Sequence, residues 1–285
     1  MIAHVAEASE GSGRVLLWLD PSLLAAPQAL EASVRLAHAY GSELETIEVD
    51  PPHLDAVAQL PLGRVGFRAP LNIAHAGDEI AARQTLSDGH RARVDKIASQ
   101  FGVPVRHARS TGEAIDRLAH LCTVRGPWNI IVLSRTPSLD LASVVANVFA
   151  NVSGATGVLV GSRRIEAWGS RVAVVVEDGE RLPSMLRTAE RLTGTAGKTH
   201  LVIAAVTKTA YRDLDAQARL LTAGSDSIKF EATGPTLGVD GALDEQLSGC
   251  QPSLVIARFG GTLLSDGRAL SRCLAVTGAP FLLVR

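Results

Sequence analysis

The residues of this chain best placed to do chemistry stand just past apolar runs. Asp20 follows Val15-Leu-Leu-Trp-Leu19, and Ser134 and Arg135 follow Ile130-Ile-Val-Leu133. Glu177 and Asp178 follow Val172-Ala-Val-Val-Val176, and Arg258, Gly260 and Gly261 follow Leu254-Val-Ile-Ala257. An arginine presents a planar fork of donors to an anion, and glycines let backbone N–H groups approach one closely. The chemistry these types support is the binding of a small anion. Each has a plainer role as well: Asp20 before Pro21-Ser22 can cap a helix, the arginines can be solvated loop cations, and the glycines can make a tight turn.

Other patterns do not hold up. Gly197-Lys-Thr199 imitates the end of a phosphate loop, but Leu192 stands where its first glycine belongs, and the tripeptide closes a helix instead of opening one. Gly11-Ser-Gly13 precedes a strand, the wrong place for a dinucleotide fingerprint. The 8 histidines never fall at paired metal-ligand spacing. There is no Gly-x-Ser-x-Gly elbow. A receiver domain needs an acceptor aspartate after strand three, where Arg109-Ser110 and Glu231-Ala232 stand instead. No acid, base and nucleophile converge, so no enzyme is indicated.

The elements that must position these residues come in two copies. Arg14-Val-Leu-Leu-Trp-Leu-Asp20 recurs as Arg171-Val-Ala-Val-Val-Val-Glu177, an offset of 157 residues (14 to 171). Asn129–Leu133 recurs as Ser253–Ala257, and Gly154–Val160 as Gly278–Val284, both at an offset of 124 (129 to 253, 154 to 278). In each half five short β-branched runs alternate with four amphipathic ones; Ala26, Leu30, Val34 and Ala37, for example, share one helix face. That alternation predicts two tandem doubly wound α/β domains, each a five-stranded parallel sheet in the order 3-2-1-4-5. Their bounds are read as 1–162 and 170–285, with an insert at about 50–77. Pro51, Pro52, Pro61 and Pro70 exclude a long helix or central strand there, so the insert reads as a loop without ladders, either a surface excursion or a lid. Strands one and four should be neighbours, because they carry the most continuous apolar runs. Ligands of such sheets bind past their carboxyl ends, where the strand order reverses.

Composition agrees. Of 285 residues 28 are basic and 29 acidic, for a formal charge of −1, which excludes nucleic-acid binding by phosphate neutralisation. Only 4% are aromatic, so the core must be built of Ala, Val, Leu and Ile. No apolar run is long enough to span a membrane and no leader pattern opens the chain, so a cytoplasmic protein without membrane contact is expected. Cys122, Cys250 and Cys273 make an odd number with no Cys-x-x-Cys and read as small core residues.

The order of elements, the strand-one end Val15-Leu-Leu-Trp-Leu-Asp20-Pro-Ser22 and the closing Gly278-Ala-Pro-Phe-Leu-Leu-Val284 resemble the universal stress protein family in tandem form, over almost the whole chain except the insert. The resemblance implies the fold of the adenine nucleotide alpha hydrolase group and places Asp20 where nucleotide-binding members hold the adenine or ribose side. It also implies a loop Gly-x-x-Gly, nine residues, Gly-Ser/Thr after strand four. Ser134, Pro137, Asn147 and Val148 stand at those positions in the first half, and Arg258, Gly261, Ser271 and Arg272 in the second. Proline has no N–H to offer a phosphate. The resemblance thus points to the branch without the ATP loop, with no cofactor, or to a site remodelled for another small anion at Ser134 and Arg135 or at Asp178, Arg258, Gly260 and Gly261. ATP or another adenine nucleotide is the alternative ligand, bound by a weak ATPase using the second-half crevice. Family members cover their last strands by dimerising, so the halves are expected to form an internal pseudo-dimer, with a homodimer of whole chains also open.

Overall fold

The computed structural model describes residues 14–20, 25–50, 64–66, 73–125, 129–133, 141–161, 168–193, 197–205, 207–225, 227–230, 242–261, 264 and 267–285. Two compact units divide the chain: Met1–Thr136 with Ala150–Ala155, and Pro137–Phe149 with Thr156–Arg285.

In the first unit the apolar runs become β1 (Arg14–Leu19), β2 (Leu44–Asp50), β5 (Val105–Thr111) and β6 (Asn129–Leu133). Between them run α1 (Pro27–Ala39), α2 (Ala76–Phe101) and α3 (Ala114–Arg125). The strands pair in parallel as β5-β2-β1-β6, which is the third, second, first and fourth place of the expected order. Helix α1 starts at Pro27 instead of near Ser22: its N-cap Ala26 is extended, and a proline in the first turn gives up only an N–H that no helix partner would take. Asp20 is therefore not the cap of this helix. Within the insert, β3 (Arg64–Gly66) and β4 (Ile73–His75) form an antiparallel ribbon. This corrects the expectation of an insert without ladders, since the paired residues are those between and beyond the prolines. The rest of the insert, 51–63 and 67–72, lies outside the described residues.

After α4 (Leu141–Asn151) and β7 (Ala155–Val160), the second unit contains β8 (Arg171–Val176), α5 (Leu182–Thr193), β9 (Lys198–Ile203), α6 (Lys208–Leu221) and β10 (Ile228–Phe230). It closes with α7 (Ala242–Cys250), β11 (Leu254–Arg258), α8 (Gly267–Thr277) and β12 (Phe281–Val284). The order β10-β9-β8-β11-β12 is parallel throughout and is the expected 3-2-1-4-5. One strand is added beyond it. β7, the closing strand of the first repeat, pairs antiparallel with β12, the closing strand of the second, through Phe281↔Val160, Leu282↔Leu159, Leu283↔Val158 and Val284↔Gly157. Two bare apolar edges would invite aggregation, and the pairing satisfies both. The second unit's core is Val172–Val176, Leu201, Val202, Val255, Ile256 and Phe281–Leu283, all buried. Before β8 the chain turns at Gly169 with φ 74°, where a Cβ would also run into the carbonyl oxygen of Leu192 at the end of α5, so only glycine fits.

Candidate functional site

In the second unit β8 and β11 are neighbours through Leu254↔Val172, Val255↔Ala173 and Ile256↔Val174, so their carboxyl ends open side by side. This brings Asp178 and Arg258 together: Arg258 Nη1 donates to Asp178 Oδ2 at 3.0 Å. Arg181 Nη1 donates to the same oxygen at 3.2 Å, and the Arg181 backbone N–H reaches Asp178 Oδ1 at 3.0 Å. Arg181 Nε in turn donates to the Arg285 carbonyl oxygen at 2.8 Å. Three side chains about one-third exposed thus form a closed ion-pair network.

The backbone donors expected to serve an anion are also engaged. The Phe259 N–H goes to Val284 O at 3.0 Å and the Gly260 N–H to Leu264 O at 2.9 Å. Gly260 has φ 75°, the turn that glycine permits. Gly261 is needed for a different reason: the carboxylate of Glu177 fills the space a Cβ there would take. Two carboxylates, Glu177 and Asp178, therefore occupy the mouth of the crevice. Behind them, Gln217 Nε2 donates to Gly179 O at 3.2 Å. An incoming anion must compete with these acids for Arg258.

In the first unit, Asp20 is half-buried at the end of β1, and Ser134 and Arg135 fall outside the described residues. A different group of residues dominates, one that the reading of the sequence did not single out. β2 is buried along its whole length, yet it carries acids. Thr46, Glu48 and Asp50 alternate onto one face and meet α2 and β5. Thr46 Oγ1 lies 2.8 Å from His107 Nδ1, and His107 Nε2 lies 3.0 Å from Asp95 Oδ1. Glu48 accepts a short hydrogen bond from Ser87 Oγ and lies 3.9 Å from Arg91 Nη2. Asp50 Oδ2 accepts from Arg109 Nε at 2.7 Å, and Oδ1 lies 4.0 Å from Arg83 Nη1. Arg83, Ser87, Arg91 and Asp95 are four apart, one stripe of α2. Glu48 is 1% exposed, and so is His90 beside it. Burial is the main force lowering the His90 pKa; Glu48 pulls it back up and Arg93 pushes it further down.

Ser87, Glu48 and His90 have the types of a hydrolase triad but not its wiring. The hydroxyl is given to the carboxylate, and His90 Nε2 accepts the backbone N–H of Ala25 at 3.0 Å. The pattern was available in the sequence: in the order 3-2-1-4-5 strand two is internal, so acids at alternate positions of Leu44-Glu-Thr-Ile-Glu-Val-Asp50 must be buried and paired.

Among the described residues the second unit has no such seam. The registers Val15↔Leu44 and Val172↔Thr199 make Leu201, Ile203 and Ala205 the equivalents of Thr46, Glu48 and Asp50, and all three are buried. The cysteines are core residues, as expected: Cys122 and Cys273 thiols are pushed up to about 12, chiefly by burial, and Cys273 Sγ donates to Asp244 Oδ1 at 3.0 Å. Trp18 is only half-buried. Among the described residues no group of His, Cys, Asp and Glu is placed to hold a metal ion, and no helix is long and apolar enough to cross a membrane.

This architecture is that of the universal stress proteins. A universal stress protein from Archaeoglobus fulgidus DSM 4304 superposes with a TM-score of 0.62 at 10% identity, covering 95% of this chain and 96% of that one. A functionally unknown protein from Pseudomonas aeruginosa PAO1 gives 0.57 at 13% identity, covering 95% and 92%. The cytoplasmic domain of a prokaryotic cation chloride cotransporter gives 0.54 at 10%, covering 95% of both. No family model and no curated protein matches the sequence. At these identities the likeness is one of fold.

Proposed function

We propose that the chain is a tandem protein of the universal stress type that responds to stress or to a ligand without catalysis and without the family's ATP phosphate loop. The observation that carries this reading is the Asp178–Arg258 pair at 3.0 Å, an internal counter-ion held where a phosphate would be bound. With the N–H groups of Phe259 and Gly260 bonded within the unit, the crevice offers an anion few free donors. The protein works in the cytoplasm, its repeats acting as an internal pseudo-dimer, and any small anion it takes sits at Arg258 and Gly261. Calorimetry with ATP, with mass spectrometry of co-purified small molecules, tests this. The expected Kd is no tighter than about 1 mM, roughly −4 kcal/mol. Micromolar ATP binding abolished by Asp20→Ala would instead establish a nucleotide-binding protein that uses the first unit.

A further inference from the structure

The buried seam of the first unit contains one contact that depends on a single proton. Ala25 is 4% exposed and His90 is 1% exposed, and the Ala25 N–H donates to His90 Nε2 at 3.0 Å. A backbone N–H can only donate, so Nε2 must carry a lone pair and the ring proton belongs on Nδ1. Nδ1 faces Glu48 Oε1 across 3.9 Å, too far for a hydrogen bond, and both atoms are buried without a hydrogen-bond partner. The ring is thus bonded on one side to the chain just before α1 and on the other faces an anion across a gap it could close.

We propose that His90 is a proton-operated latch: its neutral ring ties Ala25, at the start of α1, to α2, and protonation breaks that tie and draws the ring onto Glu48. A second proton, on Nε2, would set N–H against N–H at Ala25. At the same time it would give Nδ1–H a full charge to pair with Glu48, so the two states trade one contact for another. The charged groups acting on the ring are Glu48 from β2, Asp20 from the end of β1, and Arg93 on α2 itself. Glu48 is in turn held by Ser87 and approached by Arg91, so it stays in place while the ring moves. Burial favours the neutral, latched form, and Glu48 and Asp20 pull toward the protonated one. Ile203 replaces Glu48 in the second unit, so the device belongs to the first unit alone.

Residue-resolved amide exchange and imidazole NMR on the full chain test the latch. As the pH is lowered from about 7.5 to well below the ordinary histidine pKa of about 6.5, protection at Ala25 should fall about tenfold in step with the His90 ring signal, at whatever pH that signal moves. Protection at Val172–Val176 should hold over the same range. His90→Gln keeps an acceptor near Nε2 and cannot titrate, so Ala25 should become insensitive to pH. Glu48→Gln removes the anion that receives the charged ring, and the release should move to lower pH. Unchanged protection at Ala25 while His90 titrates would overturn the proposal. So would an equal loss in His90→Gln, or a ring that stays neutral until the whole chain unfolds.

Discussion

Arg258 Nη1 and Asp178 Oδ2 lie 3.0 Å apart, although the two residues are separated by 80 positions in the chain. The pair is the counterpart, inside the protein, of the arginine–anion contact the sequence suggested. Replacing Asp178 with Ala removes the competing carboxylate and leaves both Arg258 and Arg181 to an external anion. Affinity for inorganic phosphate should rise by about tenfold, the size of one charge-assisted hydrogen bond. Titration calorimetry of the variant against the parent measures it, and an unchanged affinity would show that Arg258 is not the anion's contact.

Glu48→Ile copies the residue found at the equivalent place in the second unit, yet it should destabilise the first. It strands the Ser87 hydroxyl and leaves the Arg91 guanidinium without its buried anion. Leaving a buried hydroxyl without its acceptor costs about 1–3 kcal/mol, while Arg91, one-third exposed, keeps its contact with solvent. Urea unfolding of parent and variant gives the difference.

Acid should weaken the fold through His90. Because burial lowers the folded-state pKa of His90 below its ordinary 6.5, the unfolded chain binds more protons in the interval between the two values. Stability is therefore full above pH 6.5 and declines as pH falls toward the folded-state pKa. Melting temperatures across this range should show the decline in the parent and a flatter profile in His90→Gln.

Much of this arrangement was legible in the residues. The repeat offsets and the two most continuous apolar runs placed strands one and four together, and Asp178 and Arg258 met as their positions implied. What could not be read was which acid takes the guanidinium, because that depends on rotamers at the turn Asp178–Arg181. The seam was missed for another reason. Ser87 and His90 are about 40 residues from Glu48, across the proline-rich insert, and a polar stripe on a long helix reads as a solvated face until the strand opposite it is known to be internal. Pro27 moved the start of α1 by conformational preference, a signal that was present and not used.

Leu283→Lys tests the pairing of the closing strands. Leu283 is fully buried opposite Val158, so an ammonium there would be taken out of water. A loss of about 3 kcal/mol or more is expected, with a rise in aggregation as both strand edges loosen. Chemical denaturation and light scattering report the two effects.

The thiols should be silent in the native state. Cys122, Cys250 and Cys273 are buried, and two of them are held protonated to about 12. Alkylation at neutral pH should label none of the three at an appreciable rate, and all three once the chain is denatured.

A chain made of two like repeats runs a risk during folding: a strand of one repeat can settle into the other repeat's sheet, since the strand order is the same. The contrast between Thr46, Glu48 and Asp50 on one side and Leu201, Ile203 and Ala205 on the other makes that exchange costly. β9 in the place of β2 would set two aliphatic chains against Arg83, Arg91 and Arg109, and β2 in the place of β9 would bury two carboxylates where Ile203 and Ala205 now lie. The seam thus works as an identity mark, by which each repeat during synthesis and refolding accepts its own second strand and rejects its twin's.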